Sequence, residues 1–437
     1  MSALLFLPIE NDAYEMKGDP NIDPYYIYAL GKYCQDISFL VYHFNKKLGM
    51  IGLKSKKTVD ISLFDSFKKK IPIDFFDLDE DSKIKEKLIS LKINNILLPS
   101  HYQSSPSDLK KEIVEKLEKL KLMYQINYTF SDTLHQNLLK SRFVKKKYEI
   151  ERIRKACQIS SEGVLHMLKE RKNNPSQYNS TFKMISLAKE YVEKCNLSEW
   201  EKYAYPPIFT RGKVEIHPKT EIDYSWKEEE EEPQLLLLDF GIRYKNFCAD
   251  ITRTFTHNGK WTSEQEQIYD IVLDLYKTGL SMVKPGVLFY DIDRAVKERL
   301  RTYLIRLNKV DSKLSLSEQK DIVKTYMPHS LGHTVGIQVH DVQTNQFKLE
   351  AGCVITIEPG IYYDNIGIRI EDTVLVTKTG YEILSDQIPV EREDISKLCL
   401  NNMKTDIQKT STIEGHSALL GGKITYKKRY RKNKTKK

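Results

Sequence analysis

Apolar positions along the 437 residues change their period at about residue 145. Before that point, short runs rich in β-branched and aromatic residues (38–44, 49–53 and 95–99) alternate with Lys-rich stretches of helical spacing such as 107–122, which predicts an α/β layer. No glycine-rich phosphate loop or metal-type cluster falls in this part, so its expected role is structural or oligomeric.

From Lys145 onward, Ile150, Ile153, Cys157, Val164 and Leu168 recur three or four residues apart among Lys, Arg and Glu, predicting a long amphipathic helix that opens a second domain. The reading is a first domain over 1–142, a second over 143–400, and a polar linker with a basic tail over 401–437. Within the second domain, Thr262 with Gln265, or Ser263 with Glu266, can close a capping box ahead of Ile268, Ile271, Val272, Leu275 and Met282. Pro285-Gly286 ends that helix. Another is expected from Asp291 to about Leu307, on Ile292, Val296, Leu300 and Leu304. The five glutamates 228–232 read as a solvated loop.

Between these helices, four leucines run into Asp239-Phe240-Gly241, and the chain returns after Lys245-Asn246 through Phe247 to Asp250 and Thr252, a hairpin signal. If Lys245-Asn246 is the turn, Gly241 lies opposite Asp250, and Asp239 becomes its diagonal neighbour on the same face, about 7 Å away. Two anions so placed repel unless cations sit between them, and paired oxygen ligands are what hard divalent metals bind. A surface hairpin with two solvated aspartates is the plain alternative.

Three of the chain's ten histidines, His329, His333 and His340, then fall within twelve residues. Glu358 ends an apolar strand-like run at Pro359-Gly360. Glu371 follows Arg369 by two, so in a strand the guanidinium shares its face and can orient the carboxylate. An acid on the inward face of an apolar strand is unfavourable unless paired or metal-bound. One histidine and four carboxylates from separate segments suit two carboxylate-bridged metals rather than a tetrahedral structural zinc.

Composition narrows the partners. With 40% hydrophobic and 30% charged residues the chain can bury cores, which excludes peptides, fibres and stapled mini-proteins. Its net charge of +9 is confined to one end: nine basic residues and no acid lie in 421–437, leaving 60 basic against 60 acidic residues elsewhere. That tail, with interleaved tyrosines, suits nucleic acid or another anionic surface through salt-sensitive contacts, or serves as a solubilising extension. Six scattered cysteines without a CxxC pair, and an early apolar stretch too short for a signal or a membrane span, predict a cytoplasmic protein, or a virion one if the source is viral.

The stretches LLLLDFG, ADITRTF, YMPHSLGHTVGIQVHD, ITIEPGIYY and GIRIEDTVLVT, in this order over about 145–397, resemble the pita-bread metallopeptidases, among them prolidase and aminopeptidase P. The resemblance implies an N-terminal creatinase-like α/β domain, a C-terminal pita-bread domain, and a homodimer. It implies two divalent ions, Mn2+ before Zn2+ or Co2+: Asp239 on one metal, Asp250 and Glu371 bridging, His333 and Glu358 on the other. Glu358 would take the proton from a metal-bridging water whose hydroxide is the nucleophile. His217 would face the substrate, His340 would steady the tetrahedral intermediate, His329 would line the pocket, and Arg369 would support the ligands from behind. The implied reaction is hydrolysis of the Xaa-Pro bond in short peptides. The Met-Pro-His run leans toward prolidase, whereas Thr344-Asn345-Gln346 stands where the dipeptidase would carry an arginine for the substrate carboxylate; Lys348 lies close by. A non-catalytic binding module on the same fold, of chaperone or nucleic-acid-associated type, is the alternative, and the full set of five ligands argues against it.

Overall fold

The structure, a computed structural model, describes residues 127–195, 202–212, 234–342 and 348–399, five earlier strands and a few single positions. His217, the glutamates 228–232, positions 344–346 and the basic tail lie outside the described residues, as do all but two positions of 107–122.

The alternating first part forms a six-stranded mixed sheet from β1 (Ser2–Phe6), β2 (Ile37–His43), β3 (Leu48–Leu53), β4 (Ile73–Asp77), β5 (Asn95–Pro99) and β6 (Asn127–Ser131), in the order β4-β3-β2-β1-β5-β6. The three runs singled out by their composition are β2, β3 and β5. β1 and β2, and β2 and β3, run antiparallel, while β1–β5, β3–β4 and β5–β6 are parallel.

After α1 (Asp132–Phe143) comes the long helix α2 (Lys147–Asn173), which buries Ile153, Cys157, Val164 and Leu168 as its spacing requires. α3 (Thr181–Lys194) packs beside it, capped by the Ser180 hydroxyl. β7 (Ile208–Arg211), β8 (Leu235–Asp239) and β11 (Thr252–Thr256) form an antiparallel sheet ordered β11-β8-β7. β8 is buried on both faces, which explains its unbroken leucines where a half-exposed strand would alternate. β11 is equally buried although it reads Thr-Arg-Thr-Phe-Thr. Most of its polar groups are satisfied: Arg253 pairs with Asp372 at 2.9 Å and donates to the Glu371, Pro389 and Ile388 carbonyls, and the Thr252 and Thr254 hydroxyls donate to Glu371 and to the Arg369 carbonyl.

The helices α4 (Ser263–Met282), α5 (Phe289–Arg306) and α6 (Leu316–Tyr326) follow. Of the two possible capping boxes, Thr262 with Gln265 forms, each side chain bonding the other's backbone N–H. The chain then returns through β12 (Val354–Ile357), β13 (Gly360–Tyr363), β14 (Ile366–Arg369), β15 (Asp372–Val376), β16 (Tyr381–Ile383) and α7 (Arg392–Cys399). β15 lies between β12 and β16, and β13 pairs with β14. The apolar faces of α4 and α5 share one core with Ile355, Ile357, Ile368 and Val374; α2, α3 and α7 enclose a second around Leu236, Leu238 and Phe255.

Candidate metal centre

The turn residues Lys245 and Asn246 both have positive φ (48° and 69°), the backbone of a type I′ turn, between β9 (Arg243–Tyr244) and β10 (Phe247–Cys248). Tyr244 pairs with Phe247 and, further along, Thr252 with Asp239, so one register runs through the whole hairpin and sets Gly241 opposite Asp250, as the turn predicts. Glycine is required there: a Cβ at Gly241 would lie 2.1 Å from the Ala249 carbonyl. Asp239 and Asp250 therefore share a face, and the Tyr205 hydroxyl stands between them, 2.5 Å from Asp239 Oδ1 and 2.6 Å from Asp250 Oδ1. One phenolic proton cannot serve both carboxylates at once.

His333 reaches the same space from a loop held to β12. Thr334 bridges to Ile355, and the His333 N–H donates to Thr356 Oγ1 at 3.0 Å. The imidazole Nε2 lies 3.4 Å from both Asp250 Oδ2 and Glu358 Oε1. Its Nδ1 lies 3.1 Å from the Thr334 carbonyl oxygen, which can only accept; Nδ1 therefore carries the proton and Nε2 is the nitrogen free to ligate. Glu358 follows the end of β12, with Oε1 accepting from Thr356 Oγ1 at 3.2 Å. Glu371 joins from the other side, its N–H donating to the Thr252 carbonyl at 3.1 Å and its Oε2 accepting from Thr252 Oγ1 at 2.6 Å. Ligand atoms of Asp250, His333 and Glu371 lie within 4.8 Å of one another.

Arg369 lies near Glu371, as its position two residues earlier suggests, but reaches it less directly than a shared strand face would allow. β14 ends at Arg369, and the chain changes partner from β13 to β11 before Glu371, so the guanidinium sits 3.9 Å from Glu371 Oε2 and bonds it through Thr252 Oγ1. Its direct carboxylate partner is Asp239 Oδ2, through Nη2. Nη1 donates to the Tyr362 hydroxyl at 3.2 Å, which in turn lies 2.8 Å from His329 Nε2. With Nδ1 donating to the Ser330 carbonyl, His329 accepts at Nε2, completing a chain of hydrogen bonds from Asp239 to His329. His340 stands edge-on to His333, ring centroids 4.1 Å apart, with its own residue exposed. Of the nine sequence-derived residues, eight are thus brought together and His217 lies outside the described residues. Tyr205, Thr252, Thr356 and Tyr362 were not singled out; Thr252, Thr356 and Tyr362 sit inside the motifs already quoted, while Tyr205 carries no pattern of its own.

The electrostatics bear on the metal fit. Burial, opposed by Arg369 and reinforced by Asp250, pushes the Asp239 carboxyl up to about 7. Burial raises Glu358 as well, and burial with the Asp250, Glu358 and Asp239 charges holds Glu371 well above the ordinary range. Asp250 goes the other way: burial opposes its ionisation, but the His333 and Tyr205 contacts outweigh it. His333 is raised to about 9 because Asp250 and Glu358 outweigh its burial, whereas burial and Arg369 lower His329 to about 4. Three of four carboxyls are thus driven toward protonation, the mark of a pocket whose negative charge exceeds its own cations. Oxygen donors with a single imidazole fit divalent ions of the Mn2+, Co2+ or Zn2+ kind.

Comparison with known proteins adds the family. The chain is 31% identical over 314 residues to the probable Xaa-Pro aminopeptidase PEPP of Ajellomyces dermatitidis, covering 61% of this chain and 65% of that protein. It is 29% identical over 285 residues to the mitochondrial intermediate cleaving peptidase 55 of Arabidopsis thaliana, covering 62% and 54%. The chain therefore spans about two thirds or less of the length of these relatives. Escherichia coli aminopeptidase P with the inhibitor Pro-Leu superposes with a TM-score of 0.73 at 23% identity, over 91% of this chain and 94% of that one, a shared fold. The sequence model of metallopeptidase family M24 matches residues 151–378, which contain every one of the acids and histidines assembled above, and the chain belongs to that family.

Proposed function

We propose that this protein is a dinuclear metallopeptidase that hydrolyses the bond before proline in short peptides, of aminopeptidase P type. The observation that carries the reading is the convergence of Asp239, Asp250, His333, Glu358 and Glu371 from four separate segments into one buried space. The names of the relatives, Xaa-Pro aminopeptidases, support the substrate class. The absence from the sequence of an arginine at 344–346 favours peptides longer than two residues over a free dipeptide carboxylate.

Asp239 would hold one ion, His333 and Glu358 the other, with Asp250 and Glu371 shared. Bound divalent ions supply Lewis acidity, acidifying water and polarising the scissile carbonyl. Glu358 is the proton acceptor: its carboxyl, partly open and 3.4 Å from His333 Nε2, stands at the accessible edge of the ligand cluster, within reach of a bound water. His340, exposed beside His333, steadies the charge that develops on the carbonyl oxygen, and neutral His329 lines the pocket, its Nε2 occupied by Tyr362. His217 is assigned to the substrate. A tertiary Xaa-Pro amide offers no N–H, so recognition falls on the free amine and the carbonyl.

Metal analysis with hydrolysis of a Phe-Pro-initiated peptide tests this. Two equivalents of Mn2+ per chain and activity that falls more than about 100-fold in Asp250→Asn and His333→Ala are expected. Equal activity in parent and variants, or none in any, would discard it and leave the binding module.

Cytoplasmic location, a homodimer and an anion-binding tail belong to the same proposal. Free cysteines at 157, 195, 248, 353 and 399 support a reducing compartment, and among the described residues no helix is long and apolar enough to cross a membrane.

A further inference from the structure

Another buried charge cluster lies within the loop that carries His333 and His340. The Asp341 carboxylate accepts from Arg142 Nη2 and, at 3.0 Å, from Lys145 Nζ, and all three side chains are only 2–3% exposed. Arg142 also donates to Gln338 Oε1 at 3.2 Å. Both cations come from far away in sequence: Arg142 from the last turn of α1, Lys145 from the link into α2.

The loop closes on itself around this carboxylate. Asp341 N–H donates to the Thr334 carbonyl at 2.9 Å, Val342 N–H to Thr334 Oγ1 at 2.6 Å, and Gly336 N–H to the Gln338 carbonyl at 3.0 Å. Gly336 leaves the space the carboxylate fills, since a Cβ there would lie 2.4 Å from Asp341 Oδ2. The same Thr334 carbonyl receives the His333 Nδ1 proton. One oxygen therefore ties the backbone of Asp341 to the orientation of the imidazole, and His340 is the residue directly before Asp341.

We propose that Arg142 and Lys145 are positioning residues for the metal site: by clamping Asp341 they fix the Thr334 carbonyl that orients His333 and the backbone that presents His340. The inference rests on the metal reading above. Groups that orient a ligating histidine typically change metal affinity or activity 10–100-fold. The segment that leads into α2 is thereby part of the site's support.

Asp341→Asn would remove the carboxylate that both buried cations share and is a poor probe. Lys145→Met keeps the Arg142–Asp341 pair and the apolar stem of the side chain. Mn2+ titration and kinetics of the full-length variant are expected to show a Kd raised about tenfold and a lower kcat, with KM changed less than about twofold. Lys145→Arg restores both to within about threefold of the parent. A folded Lys145→Met with parental Mn2+ affinity and kcat overturns the proposal and leaves the cluster a structural pin. Should Lys145→Met fail to fold, Arg142→Lys, which keeps every charge but moves the donor fork, takes its place: weakened Mn2+ binding supports the clamp and unchanged binding overturns it. A parent protein that binds no Mn2+ removes the metal reading itself, and the clamp with it.

Discussion

At Arg369 three hydrogen bonds leave one side chain in three directions: to Asp239, to the Thr252 hydroxyl and to Tyr362. A lysine gathers its three donors on one nitrogen and cannot span the three separated acceptors that Nε, Nη1 and Nη2 reach, so Arg369→Lys preserves the charge and loses the geometry. The expected result is a 10–100-fold fall, to order of magnitude, in Mn2+ affinity or kcat/KM, with unchanged circular dichroism. Parental kinetics in that variant would show that the positive charge alone suffices. Tyr205 has a comparable place between Asp239 and Asp250, and its own hydroxyl is held far above its ordinary range, first by burial and then by those two acids.

The elements carry the site by close backbone approach. His333 reaches the carboxylates because Gly332 lies flat on β12: a Cβ there would stand 2.2 Å from the Thr356 carbonyl and 2.7 Å from its hydroxyl. Gly332→Ala must push the loop and β12 apart, and overpacking of this kind costs about 1–3 kcal/mol. A lower thermal midpoint together with weaker Mn2+ binding is the expected pair of effects. A variant that loses stability but keeps full affinity would show that the loop relaxes without moving His333. The hairpin makes the complementary point, since its I′ turn alone fixes which carboxylates share a face.

For the whole molecule, the charge stored in the pocket makes stability depend on pH and metal together. In the metal-free protein the folded values of Asp239 (about 7), Glu358, Glu371 and His333 (about 9) all exceed their ordinary values of 3.8, 4.5, 4.5 and 6.5. A group raised on folding contributes stability below its unfolded value and loses it as pH climbs through the folded one. Asp250, which is lowered, contributes above its ordinary value and loses that contribution only on the acid side, and His329, lowered to about 4, opposes the trend only up to its ordinary 6.5, where the three raised carboxyls outnumber it. The metal-free thermal midpoint should therefore fall from about pH 5 to pH 9, while the Mn2+-loaded protein holds or gains, because binding needs the ligands deprotonated. Melts with chelator and with Mn2+ across that range decide it, and parallel curves would contradict the picture.

Much of this was written locally. The turn at Lys245-Asn246 dictated the pairing that puts Asp239 beside Asp250, the apolar spacing of 150–168 and 268–304 dictated α2, α4 and α5, and the histidine and glutamate motifs named the family. These follow from short-range rules of backbone twist and helical period, which act on neighbours in the chain. Only the fold could decide that Arg369 serves Asp239 before Glu371, that Tyr205 stands between two acids, and that Arg142 and Lys145 meet Asp341 some 200 residues away. Those contacts join segments whose spacing carries no period, and they exist because burying a charge demands a partner wherever packing brings one.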